Sequence, residues 1–227
     1  MENERTARTD EVRERLEARQ GVPQWHPRHT PLEELIACIL SQHTSDVNSG
    51  RAFERLRATF PRWEEVIEAP TSAVADAIRS GGLADSKAPR IQSVLKEIAL
   101  KTGEISLDFL DKMPDDAARK YLLSLHGVGP KTAAIVLCFA MGRPVLPVDT
   151  HVFRVSWRLG LIEKRIGEAK AHDALQAQIR PEMTYRFHVA LITHGRRICK
   201  ALTPNCPECP LINLCSYYQQ EVLGVRC

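Results

Sequence analysis

The sequence predicts an all-α protein organised as two helical domains. Apolar residues recur at helical spacing along most of the 227 residues, and no segment alternates convincingly between apolar and polar over strand length. Glycine, proline and serine punctuate the chain between the helical stretches. A chain of this length can bury one large core or two small ones. Its 44% hydrophobic and 26% charged residues are ordinary for a globular protein.

Taken in order, residues 2 to 20 are highly charged, with Thr9 or Asp10 the expected start of a surface helix. Thr30-Pro31-Leu32-Glu33 forms a capping box with proline at the first helical position. It opens an apolar helix through Leu35, Ile36, Ile39 and Leu40. Further helices are expected at 46–58, 62–68, 71–79, 86–101 and 115–125. Pro130 then reads as the first residue of a helix running from Lys131 to Met141, because its missing N–H and fixed φ cost nothing there. No repeat and no low-complexity segment interrupts this pattern.

Chemistry enters with the stretch from Leu125 to Val155. Lys131 falls in a first helical turn, where the helix dipole opposes a cation and favours the free amine, the form in which lysine is a nucleophile. Eighteen residues later Asp149 follows Pro147-Val148 and precedes Thr150-His151-Val152, at or beside a helix N-cap that suits a carboxylate. Gly127-Val128-Gly129, just before Lys131, makes a tight turn between two helices. Its N–H groups can hold a phosphate, so it is either a DNA-backbone clamp or an ordinary helix-helix turn.

Four of the seven cysteines, Cys199, Cys206, Cys209 and Cys215, are separated by six, two and five residues in a proline-rich segment. The chain shows no secretory signal and no apolar run of membrane length. The group therefore reads as a metal site rather than as disulfides. Structural zinc and an iron-sulfur cluster both take four thiolates, and the spacing does not choose between them. Cys38 and Cys138 lie in apolar runs as small core residues, and Cys227 is the terminus. An odd count with a thiolate site points to a reducing cytosol, and without an apolar run of membrane length no membrane partner is expected.

These two segments, extended by LIACILSQHTSD (35–46), GGLADSKA (81–88) and ITHGRRIC (192–199), resemble the endonuclease III family of helix-hairpin-helix DNA glycosylases over nearly the whole chain. The resemblance implies a six-helix domain over 28–143 that contains the hairpin. It implies a second domain from 1–27 plus 144–227 that carries an iron-sulfur cluster loop, and a DNA-binding cleft between the two. It makes Lys131 the nucleophile on the sugar C1′, Asp149 the group that assists base departure, and the four cysteines ligands of a 4Fe-4S cluster. Gln42 and Leu83 fall in the two segments where the family places residues that fill the hole left by an extruded nucleotide.

This chain departs from the pattern at several positions. The glutamine of endonuclease III stands one position later, where this chain has His43. Leu123 occupies a position that carries glutamate in some members, Ala84 one that is often aromatic, and His126 one where proline is common. The loop KALTPN after Cys199 is poor in basic residues.

The function implied is a bifunctional DNA glycosylase and abasic-site lyase of base excision repair. It would remove oxidised pyrimidines such as thymine glycol and cleave 3′ to the lesion by β-elimination through a lysine Schiff base. The expected partner is double-stranded DNA containing damaged bases or abasic sites, met by a monomer at the nucleoid. The net charge of +3 is too small for binding by bulk charge density. Contacts must come from local groups: Gly127 and Gly129, Lys200 with Arg196 and Arg197, and less plausibly Arg51, Arg55 and Arg57. Two other readings remain. One is a monofunctional glycosylase for another lesion or mismatch, which generally lacks the lysine. The other is a non-catalytic DNA-binding module with a structural metal site.

Overall fold

The computed structural model describes residues 2–224; Met1 and residues 225–227, Cys227 among them, lie outside the described residues. Among the described residues eleven α-helices follow one another: α1 (Glu2–Gln20), α2 (Pro31–Ser41), α3 (Asp46–Thr59), α4 (Trp63–Glu68), α5 (Thr71–Ala77), α6 (Ala84–Thr102), α7 (Asp115–Leu123), α8 (Pro130–Ile135), α9 (Thr150–Arg158), α10 (Gly167–Gln176) and α11 (Thr184–Arg197). No strand occurs among the described residues. The chain divides into two compact units, Pro27–Met141 and a second made of Met1–His26 with Gly142–Cys227.

In the first unit the capping box forms as the sequence implies. The Glu33 N–H donates to Thr30 Oγ1 at 3.3 Å, and the Thr30 N–H donates to the Glu33 carboxylate at 3.0 Å. The apolar stripe of α2, Leu35, Ile36, Ile39 and Leu40, is fully buried, as are Ile91, Leu95 and Ile98 of α6. Burying a side chain of this size contributes roughly 1.5–3 kcal/mol, so these two helices are the main supports of the unit. Arg57 takes part in this packing. Its guanidinium lies 4.2 Å from the centre of the Trp63 ring and donates to the Phe60 carbonyl.

One buried carboxylate in α2 opposes this stability. Burial raises the Glu34 pKa above the usual carboxylate range, and the neighbouring His29 and Arg28 only partly offset it. Above about pH 4.5 the unfolded chain then ionises more readily than the folded one, so this residue's contribution worsens as pH rises towards the raised value. Glu34→Gln is expected to raise the melting temperature at pH 8. The advantage over wild type should shrink as the pH approaches 5, which thermal melts across that range would show.

In the second unit α1 begins at Glu2, well before the start expected at Thr9 or Asp10, and this surface helix packs one stripe into the core. Val12 and Leu16 are fully buried. Arg8 donates to the Leu159 carbonyl at 2.6 Å, and the Thr9 hydroxyl donates to the Gln178 carbonyl at 2.7 Å, so long-range contacts hold the early turns in place. The buried Glu17 accepts from Arg13 of its own helix and from Arg186 of α11. Around this frame Val152, Val155, Phe187 and Leu191 form the core.

Two helix ends also differ from the sequence reading. The helix opened by Pro130 is regular only to Ile135. It then widens into a π-helical turn, Val136–Ala140, whose extra residue per turn lets Val136, Leu137, Cys138 and Ala140 all face inward. Meanwhile α7 stops at Leu123 rather than at 125, because the Leu125 N–H bonds back to Leu122 and tightens the chain into the hairpin. Burial pushes the Cys138 thiol up to about 12, and Cys38 is raised further, as suits inert core thiols.

Candidate functional site

Helix α7, residues 124–129 and helix α8 form a helix-hairpin-helix. Leu125 and Val128 are buried and anchor the turn from inside, leaving Gly127 and Gly129 exposed. Gly127 adopts φ +77, a left-handed conformation natural to glycine. A Cβ there would also meet Arg90 Nε at 2.6 Å, so a larger residue would displace the guanidinium from its present place. Lys131 lies one residue past the Pro130 that opens α8, and its side chain is exposed.

A single stripe of α6 braces this turn. The Glu97 carboxylate accepts from the His126 N–H at 2.9 Å, and Lys101 donates to the Ser124 hydroxyl at 3.1 Å. The Arg90 guanidinium donates to the Gly127 carbonyl. The His126 N–H first, and then the Lys101 ammonium 2.7 Å away, hold the Glu97 carboxyl below its ordinary range. The same helix reaches the other two candidate DNA segments. Arg90 also donates to Gln42 Oε1 at 2.8 Å. Lys87, only 4% exposed, donates to the Leu40 carbonyl at 2.7 Å and to the Gly81 carbonyl at 2.9 Å. Its burial lowers its pKa. The first unit thus brings Gln42, Leu83 and Gly127 under the control of one helix.

Leu83 is the outlier of this region. It caps α6 at φ +51 and ψ 35, a left-handed conformation that is costly for leucine, and 58% of it is exposed. An exposed apolar side chain held on a strained backbone is a feature that marks functional positions. His43, next to the half-buried Gln42, likewise has positive φ at 54°. Leu123 is exposed on α7 and Ala84 is buried in the first turn of α6.

In the second unit Asp149 is the N-cap of α9. Its Oδ1 accepts from the Val152 N–H at 2.7 Å, and the residue is 6% exposed. One carboxylate oxygen therefore fixes the orientation, and the other is the one that can serve a ligand. Helices α9 and α11 approach closely because residue 195 is glycine: a Cβ there would lie 2.9 Å from that of His151. Arg154 closes the contact by donating to the Gly195 carbonyl at 2.9 Å and the Cys199 carbonyl at 3.0 Å. His151 accepts from Arg154 at 3.0 Å, and its pKa is lowered chiefly by burial. That is a structural role.

The four cysteines line one cavity of about 350 Å³, part of it open to solvent, together with Arg158, His194 and Tyr217. Burial, then mutual repulsion, raises the thiols of Cys206 and Cys215, and Cys209 is pushed up to about 11, with burial again the largest cause. A cationic group among them would reverse that penalty. Among the described residues no three or more His, Cys, Asp or Glu group tightly enough for a single metal ion.

Two further residues line the cavity: Arg158, which the sequence did not single out, and His194, which could have been either a structural histidine or a neighbour of the cysteine site. The buried Arg158 donates to Cys199 Sγ at 3.3 Å and to the carbonyls of Lys200 and Ala201, while its guanidinium lies over the Tyr217 ring. His194 is 2% exposed, with Nε2 3.6 Å from Cys209 Sγ. Burial, with Arg19 adding to it, pushes its pKa down to about 4. Neutral at pH 7, it faces the sulfur across the cavity wall. Lys200, Arg196 and Arg197 are exposed beside the cavity, and Leu202 at the loop tip is 95% exposed.

Comparison with known proteins matches this architecture. Residues 36–181 match the HhH-GPD superfamily of base excision DNA repair proteins. Endonuclease III of Thermotoga maritima is 34% identical over 89% of this chain and 90% of its own, and that of Bacillus subtilis is 36% identical over 84% and 83%. A longer Arabidopsis thaliana relative is 36% identical over 80% of this chain, which spans 65% of its length. Among solved structures, a non-covalent Endonuclease III–DNA complex superposes with a TM-score of 0.80 at 30% identity, covering 98% of this chain and 99% of that one. A trapped covalent Endonuclease III–DNA intermediate superposes with the same score at 31% identity and the same coverage. The chain belongs to the HhH-GPD superfamily of base excision DNA repair proteins, as an Endonuclease III-like DNA glycosylase.

Proposed function

We propose that the protein is bifunctional, removing oxidised pyrimidines such as thymine glycol from double-stranded DNA and cleaving the resulting abasic site. The observation that carries this reading is Lys131, an exposed amine in the first turn of the hairpin's second helix. The related Endonuclease III captured in covalent linkage to DNA supports it. A monofunctional enzyme generally lacks that lysine.

In this reading the Lys131 amine attacks C1′ as the glycosidic bond breaks. Asp149 stabilises the cationic sugar while the base leaves with a proton. Opening of the C1′–O4′ bond gives an imine between Lys131 and C1′. Loss of a C2′ proton then expels the 3′ phosphate, and water releases the amine. Gly127 and Gly129 hold the backbone phosphate through turn N–H groups, Gln42 and Leu83 fill the vacated stack, and Lys200 adds a phosphate contact. The protein acts as a monomer.

We also propose that the cysteine cavity receives a 4Fe-4S cluster through Cys199, Cys206, Cys209 and Cys215. Four thiols sharing one cavity, with Arg158 donating to one sulfur and the His194 ring beside another, suit such a group. The cluster would order the 200–205 loop that carries Lys200. The protein purified without air is expected to be coloured and to contain iron and sulfide. Cys206→Ala is expected to lose the visible absorption and to melt at lower temperature, whereas a colourless wild type containing zinc would overturn the assignment.

The substrate reading is tested by base release from a duplex series. Thymine glycol opposite adenine is expected to be turned over and followed by strand scission. Release of adenine or thymine from mismatches without scission would favour a monofunctional enzyme, and damage-independent, salt-sensitive binding without turnover a binding module.

A further inference from the structure

We propose that Arg90 is a positioning residue that presets Gln42 for insertion into the DNA stack by tethering it to the hairpin turn; this rests on the reading of Gln42 as a residue that fills the vacated stack. The Arg90 guanidinium bonds Gln42 Oε1 at 2.8 Å through one nitrogen and the Gly127 carbonyl through another. Those acceptors lie on different loops, 48 and 37 residues away from it. A planar fork reaches both at once, which a lysine ammonium on a flexible stem does not reproduce.

Three further observations support the tether. Gly127 has room for the guanidinium only because it lacks a Cβ. Gln42 ends α2 and is followed by His43 at φ 54°, so the helix does not continue beyond it to confine its side chain. The base of the same loop is fixed separately, since Lys87 on the preceding turn of α6 holds the Leu40 carbonyl. The tether has a directional consequence as well. With Oε1 engaged by Arg90, the Gln42 amide turns its N–H donors towards a partner, and every base edge offers an acceptor. Restricting the amide before DNA arrives removes an ordering cost that would otherwise fall at the moment of insertion.

The test uses the full-length protein and a duplex in which 2-aminopurine stands opposite a tetrahydrofuran abasic analogue, so that no lesion chemistry is required. Wild-type binding is expected to change the 2-aminopurine fluorescence as Gln42 enters the stack. Arg90→Met and Arg90→Lys are expected to bind about tenfold more weakly, as loss of a charge-assisted hydrogen bond predicts, and to lose most of the fluorescence change. Arg90→Met combined with Gln42→Ala should behave as Gln42→Ala alone. Thermal melts show which variants fold, and Arg90→Lys serves if the methionine variant does not.

A full fluorescence change in both Arg90 variants would overturn the proposal. So would a double variant clearly worse than Gln42→Ala, or wild-type binding without any change. Failure to turn over thymine glycol while the fluorescence pattern holds would instead overturn the lesion assignment and leave Arg90 in its role.

Discussion

Asp149→Asn is expected to lower single-turnover base release on the order of 10²- to 10⁴-fold, the usual range for loss of a positioned acid-base or charge-stabilising group. The choice of asparagine matters because Asp149 has two roles. As N-cap of α9 it accepts from the Val152 N–H at 2.7 Å. Asparagine caps a helix about as well as aspartate, so the substitution removes the charge and keeps the cap. Asp149→Ala removes both and should cost about 1 kcal/mol of stability in addition. If the asparagine variant melts like wild type yet has lost base release, the charge acts in the chemistry. Equal activity of wild type and Asp149→Asn would reduce the residue to a helix cap.

Lys131→Ala is expected to abolish strand scission at a preformed abasic site, at least on the order of a thousandfold, the scale on which loss of a covalent nucleophile is felt. The side chain is exposed at the start of a helix whose cohesion comes from Thr132, Ala133 and Ala134, all buried, so the alanine variant should fold and melt as wild type does. DNA affinity should fall only modestly, because the turn N–H groups of Gly127 and Gly129 remain. Scission measured against time on an abasic duplex, beside binding to the tetrahydrofuran analogue, separates the two effects. Loss of binding in parallel with scission would mean that Lys131 serves as a phosphate contact.

Much of this molecule was legible because its signals are local. The Thr30 capping box, Pro130 at the head of α8 and Asp149 at the head of α9 each depend on residues within one turn, and all three form. The cysteine spacing likewise announced a common site, and the four thiols do line one cavity.

What escaped depends on distant partners. Lys87, Arg90 and Arg158 bond to carbonyls or side chains some 40 residues away, and nothing in their immediate sequence distinguishes them from solvated cations. The stripe Lys87, Arg90, Glu97 and Lys101, one face of α6 by its spacing, was the available hint. The left-handed Leu83 could not be foreseen, since leucine has no preference for that conformation and only the surrounding structure imposes it. Arg57, the less favoured DNA candidate, packs over Trp63 only six residues on, a local partner that its charge alone did not announce. The start of α1 was missed because contacts to Leu159 and Gln178, far along the chain, stabilise turns whose own residues look like solvent-exposed charge.

The most direct test of the proposed chemistry is borohydride trapping of the wild-type protein on a duplex bearing one thymine glycol, followed by peptide mapping of the product. Reduction freezes an imine as a stable amine, so the account predicts one covalent protein–DNA adduct carried by the peptide that contains Lys131. Base release without an adduct, or an adduct on any other residue, would contradict it.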